Sequence, residues 1–126
     1  MGVDNSMEFK LEERSQGDVV VLDVRGNLDV QSAPTLKVRL DSLVNFGHQK
    51  IVMNLSDVGF IDSTGVGSLI YAQKIINPIK GGLRIVGISP RNLNVFSVMN
   101  LTDVFSIMKT EEAAVGSFHR DDSTVH

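Results

Sequence analysis

The run Lys50-Ile-Val-Met-Asn-Leu55-Ser56-Asp-Val-Gly59-Phe60-Ile61-Asp62-Ser63-Thr64-Gly65-Val66-Gly67-Ser68-Leu69 decides the fold. Lys50 to Leu55 is an apolar run of strand length, and Ser56 to Gly59 reads as its exit loop. A helix then opens near Asp62-Ser63, with Leu69, Ala72, Ile76 and Ile79 at helical spacing on one face and Pro78 as its stop. Hydroxyl groups and two glycines therefore occupy a strand-to-helix junction. Open α/β sheets place ligand sites at such junctions, beyond the carboxyl ends of their strands. The unpartnered N–H groups and positive dipole end of a helix favour negative charge there.

Working outward, Met7 to Glu12 alternates apolar and polar residues as a half-buried strand does, and Val19 to Val24 follows the turn residues Ser15-Gln16-Gly17-Asp18, predicting a hairpin. Gly26-Asn27-Leu28-Asp29 comes next, with Asp29 placed to cap a helix starting near Val30. That helix buries Ala33, Leu36, Leu40, Leu43 and Val44, and Asn45-Phe46-Gly47 ends it. Behind Gly81-Gly82, Leu83 to Ile88 is a further strand. Ser89-Pro90 is a cap with proline in the first turn, opening a helix that buries Leu93, Phe96 and Met99. A short strand at Val104 to Met108 and a helix capped by Thr110, with Glu111 and Glu112 in its first turn, complete the pattern. Strands alternating with helices after a hairpin predict a single α/β domain: a mixed sheet of four or five strands, its later strands parallel, with about four helices. The expected domain spans 7–118, with an unstructured segment 1–6 before it and a flexible tail 119–126 after it.

Composition narrows the function. A chain of 126 residues buries roughly two-thirds of its unfolded surface and needs no metal or disulfide to fold. Zero Cys removes thiol catalysis and Cys-type zinc sites, and His48, His119 and His126 are too scattered for a metal constellation. Net charge −3 without a Lys/Arg run gives no footprint for nucleic acid. No stretch approaches the ~18 apolar residues of a membrane span, and Met1 to Ser6 show no secretory signal, so the expected location is the cytoplasm.

At the junction itself a phosphate-binding P-loop needs a Gly-Lys-Ser/Thr sequence, and Gly65-Val66-Gly67-Ser68 has no lysine. A dinucleotide fingerprint needs a third glycine near Ile70. Ser63 lies outside a Gly-x-Ser-x-Gly elbow because Ile stands at position 61, and no His occupies a segment that looks like a site, so no enzyme and no cofactor are expected. What remains is Ser63 as a substrate, an exposed hydroxyl that another protein modifies.

Asp62-Ser63-Thr64-Gly65-Val66-Gly67 resembles the Asp-Ser-Ser/Thr-Gly-aliphatic-Gly signature of bacterial anti-sigma factor antagonists, small STAS-domain proteins. The Gly26-x-Leu28-Asp29 segment, the Ser89-Pro90 helix start, and Leu93, Phe96 and Leu101 extend the resemblance from about Phe9 to Phe118. Val66 stands where Leu is common in the family. The resemblance implies that Ser63 is phosphorylated by a partner that is both anti-sigma factor and serine kinase, and that a phosphatase reverses it. The unphosphorylated protein would bind that partner and release the sigma factor. Carried over residue by residue, Ser63 is the acceptor, Asp62 its acidic neighbour, and Gly65 and Gly67 let backbone and partner approach; Thr64 is the rival acceptor.

By helical spacing Ser63, Gly67, Tyr71 and Lys74 share a stripe opposite Leu69, Ala72 and Ile76, either docking surface or an ordinary solvated face. Asp29 reads either as a helix cap that needs no further function or, as the resemblance implies for a loop at the same sheet end as Ser63, as a second point of kinase contact. The alternatives are a STAS subunit of another assembly, such as a lipid-transport complex or a signalling scaffold, and, from a different class, an enzyme acting at Ser63.

Overall fold

The computed structural model describes residues 8–76 and 78–123. The segment 1–6, expected to be unstructured, lies outside them. Strands β1 (Lys10–Gln16) and β2 (Val19–Leu28) form the hairpin, followed by α1 (Ala33–Asn45), β3 (Lys50–Ile61), α2 (Ser63–Ile75), β4 (Gly82–Val86), α3 (Pro90–Val98), β5 (Ser106–Met108) and α4 (Glu111–Ser123). The sheet runs in the order β1-β2-β3-β4-β5, antiparallel between β1 and β2 and parallel thereafter. This is the mixed α/β architecture expected from the sequence.

Each parallel crossover moves one strand along in the same direction, and crossovers share one hand, so α1, α2 and α3 land on the same face. Leu36 and Leu40 of α1, Leu69 and Ala72 of α2, and Phe96 of α3 join Leu22, Met53 and Ile85 in one core there. On the opposite face α4 lays Ala114 and Phe118 against Val19, Val21, Val52 and Val86. Strand residues therefore alternate between two buried layers, which is why β2 and β3 read as continuous apolar runs. Among the described residues no helix is long and apolar enough to cross a membrane.

The elements depart from expectation in instructive ways. The hairpin turns tightly at Gly17, whose φ of +65° suits glycine, so β1 runs three residues later than the Met7 to Glu12 pattern suggests. Ser56 to Gly59 is not a loop but the second half of a twelve-residue β3. Helix α1 starts at Ala33 rather than near Val30, with Ser32 in the capping position. Asp29 instead closes the preceding turn: its Oδ1 accepts from the N–H groups of Gln31 (3.0 Å) and Ser32 (3.2 Å). Helix α2 ends at Ile75 because Ile76 turns extended (ψ 121°), which throws Ile79 off the apolar face to 92% exposure. In α3 the buried pair is Asn92 and Phe96, while Leu93 and Met99 are 36% and 40% exposed. Strand β4 stops at Val86, two residues short of Ile88, and β5 starts at Ser106, leaving Val104 outside it. Helix α4, capped by Thr110 Oγ1 accepting from Ala113 N–H (3.0 Å), continues through Ser123 beyond His119, where a tail was expected.

Candidate functional site

Strand β3 outruns its neighbour. Strand β4 pairs with Lys50 to Asn54 only, so the stretch from Leu55 to Ile61 has no strand on that side. On the other side β2 pairs with it through a register shift between Gly26 and Leu28, and Asn27 Oδ1 fills the gap by accepting from Phe60 N–H (3.1 Å). The first turn of α3 covers the open side: Arg91 Nη2 donates to Gly59 O (2.8 Å), and Asn92 Oδ1 accepts from Ile61 N–H (3.2 Å).

At the strand end Asp62 N–H donates to Leu28 O (3.2 Å), and extended backbone at Asp62 turns its carboxylate over the next helix, where Oδ1 accepts from Gly65 N–H (2.8 Å). Asp62 is thus the N-cap of α2 and Ser63 its first residue. That cap satisfies Gly65 and leaves the Ser63 and Thr64 N–H groups at the positive end of the helix.

The hydroxyls of this region are not equivalent. Ser68 is fully buried and donates to Gly65 O (2.6 Å), and Ser56 donates to Asn54 Oδ1 (2.6 Å). Ser63 and Thr64 are both exposed, and among the described residues neither side chain makes a hydrogen bond. The two glycines also differ. Gly65 is buried, and its missing side chain makes room for β2 rather than for a partner; Gly67 is exposed with nothing within 4 Å of where a Cβ would stand.

Asp29 stands at the same end of the sheet and lines a recess of about 380 Å³ with Glu8, Asn27 and Thr35. Its Oδ1 is occupied by the turn, and its Oδ2 takes no hydrogen bond among the described residues. Val30 and Phe60 add exposed apolar surface at this end. Tyr71 belongs to the seam between α1 and α2: its hydroxyl donates to the Asp41 carboxylate, and Lys37 Nζ lies 5.3 Å from its ring centre. That hydrogen bond, with desolvation behind it, holds the Tyr71 phenol above its ordinary pKa. Lys74 is exposed in the last turn of α2, where a cation suits the dipole, about 16 Å from Ser63 at 1.5 Å per residue.

Sequence reasoning missed Asn92 and Arg91. The one available signal was a polar residue at position 92, spaced four residues from Phe96 on the face that turns inward.

A sheet of this topology carrying an aspartate-capped, serine-first helix at its open end defines a class, and residues 10–114 match the STAS domain model. The chain belongs to the STAS domain family. Among its relatives are the anti-sigma-B factor antagonists of Bacillus subtilis, 28% identical over 86% of this chain and 99% of that protein, and of Staphylococcus aureus, 30% identical over 84% and 98%. In structure it resembles an anti-sigma factor antagonist from Mycobacterium paratuberculosis (TM-score 0.81, 21% identity, 89% of this chain and 95% of that one), a likeness of fold. It also resembles the Bacillus cell fate determinant SpoIIAA in its phosphorylated form (TM-score 0.66, 25% identity, 86% and 97% covered).

Proposed function

We propose that this protein is an anti-sigma factor antagonist switched by phosphorylation of Ser63. Unphosphorylated, it binds an anti-sigma factor that is also a serine kinase and so frees the sigma factor; phosphorylated, it lets go until a phosphatase restores it. The observation that carries the reading is the free, exposed Ser63 hydroxyl at the first position of α2, immediately after the capping Asp62. The relatives named above, one of them solved in a phosphorylated form, support it.

The docking surface runs from Asp29 across Asp62, Ser63, Thr64 and Gly67, with Val30 and Phe60 as its apolar part and Lys74 at its far margin. Gly65 and Tyr71 support it from beneath and from the side. Phosphate adds about −1.5 to −2 charge at neutral pH, which a helix N-terminus tolerates, so the fold survives. A partner closing on the same spot would bury that dianion without a cation to meet it, and binding is lost.

The test is incubation with ATP and a candidate anti-sigma factor/serine kinase from the same organism, followed by site mapping and affinity measurement. One phosphoryl group on Ser63 and binding weakened by more than about tenfold are expected, with Ser63→Ala binding but unmodified. A phosphosite at Thr64, or equal affinity of both forms, would overturn the reading.

A further inference from the structure

Resting on that reading, we propose that Asn92, with Arg91 beside it, is a positioning residue for phosphorylation: α3 sets the pose in which Ser63 is offered to the kinase. In a parallel strand successive residues turn their N–H and C=O groups to opposite sides, so Gly59 and Ile61 face one way and Phe60 the other. The hydrogen bonds obey this alternation. Phe60 is held from the β2 side by Asn27, whereas Gly59 O and Ile61 N–H are held from the α3 side by Arg91 and Asn92. The β4 ladder stops at Asn54, so these two side chains do for the end of β3 what a neighbouring strand does for its beginning.

Asn92 is chosen against the grain of the core. It is 1% exposed, and its Nδ2 donor is buried without a partner. A leucine, branched at the same carbon but wholly apolar, would carry no such unpaired donor. What leucine cannot do is accept from Ile61 N–H, which would otherwise be a buried orphan. Ile61 is one residue before the Asp62 cap and two before Ser63, so its anchor fixes both the entry angle of α2 and the place of the hydroxyl. Phosphoryl transfer depends on an aligned nucleophile, and displacements of about 1 Å are costly to it.

The experiment compares kcat/KM for phosphorylation of the full chain by its kinase in wild type, Asn92→Leu, Asn92→Asp and Arg91→Ala, all well below their unfolding temperatures. Amide hydrogen exchange at Ile61 and at Ile51 is followed in parallel. Asn92→Leu is expected to lose at least ~tenfold in kcat/KM and to speed exchange at Ile61 but not at Ile51. Asn92→Asp, which keeps the acceptor, recovers most of both. A merely structural role would instead speed exchange at Ile51 as well and leave kcat/KM of the folded fraction unchanged. Should Asn92→Leu not fold, Arg91→Ala, at an exposed position, decides: a several-fold loss supports the proposal and wild-type kcat/KM overturns it. Wild type left unmodified by the kinase overturns the phosphosite itself and this proposal with it. Wild type modified at Ser63 with Asn92→Leu folded and equally fast overturns this proposal alone.

Discussion

A Cβ placed on Gly65 would stand 2.2 Å from the carbonyl oxygen of Leu28, the same oxygen that accepts the Asp62 N–H. The first turn of α2 therefore rides directly on the end of β2, and the position of Ser63 is set by backbone touching backbone. Backbone cannot rotate away from a new methyl group, so Gly65→Ala is expected to cost about 1–3 kcal/mol. Gly67, two residues on in the same helix, meets nothing within 4 Å, and Gly67→Ala should gain up to about 1 kcal/mol from helix propensity. Urea melts of the two variants check the contrast, and equal effects would refute it.

The cap and the acceptor separate in the same way. Asp62→Ala removes the oxygen that satisfies Gly65 N–H and is expected to destabilise by about 1 kcal/mol. Ser63→Asp adds an anion at the favourable end of α2 and should change stability by less than ~1 kcal/mol while abolishing partner binding. Thermal unfolding beside an affinity measurement tests this; a large loss of stability in Ser63→Asp would mean that the lost binding reports unfolding.

On the far face of the sheet Arg14 bridges β1, β2 and α4. Its Nε and Nη2 donate to Asp23 (2.6 and 2.9 Å), and its Nη1 and Nη2 donate to Glu111 (3.0 and 2.7 Å). These hydrogen bonds hold both carboxyls below their ordinary range, with Asn54 assisting at Asp23 and Gln16 at Glu111. Depressed carboxyl pKa values stabilise the fold above the unfolded-state values, and the gain is lost as pH falls through the folded ones. Because the groups are partly exposed, Arg14→Ala should cost only about 1 kcal/mol at neutral pH. That difference should shrink as pH falls through the depressed folded-state values and close once both carboxyls are protonated. Denaturant midpoints of the two proteins from neutral to acid pH decide it; a gap constant with pH would dismiss the network.

What the sequence made legible follows from which forces are local. The helical faces of α1 and α2, the Ser89-Pro90 start of α3 and the Thr110 cap of α4 were readable because periodicity and capping lie within a few residues of one another. The second half of β3 was not. Ser56-Asp57-Val58-Gly59 has turn-forming composition, and it is extended because β2 and the side chains of Asn27, Arg91 and Asn92 hold it so, partners distant in sequence. Helix α3 was rotated for the same reason: Leu93 looks like core, but Asn92 turns inward to Ile61 and leaves Leu93 at the surface. In the site, Asp62-Ser63 at a helix start could be read from composition, whereas the division of labour between Gly65 and Gly67 required knowing where Leu28 lies.

Tyr71 is the only tyrosine of a chain without tryptophan, so its ionisation can be followed by absorbance without interference. Its hydroxyl donates to the Asp41 carboxylate, and giving up that proton would break the hydrogen bond and set two anions side by side. The phenol pKa is accordingly raised, by the hydrogen bond first, then by desolvation and by the charge of Asp41. A raised pKa means that the contact supports the fold below the ordinary tyrosine value and is lost as pH climbs through the folded one. The titration midpoint is therefore expected above the ordinary value of about 10 in the native protein, and back near it in Asp41→Ala. Identical midpoints would place Tyr71 outside the α1–α2 seam. The same pair of variants separates seam from docking surface: Tyr71→Phe and Asp41→Ala should leave affinity for the anti-sigma factor within about twofold, because a solvent-screened contact between exposed side chains is too weak to move the Ser63 end of α2. A tenfold loss in Tyr71→Phe alone would instead show the phenol hydroxyl reaching the partner.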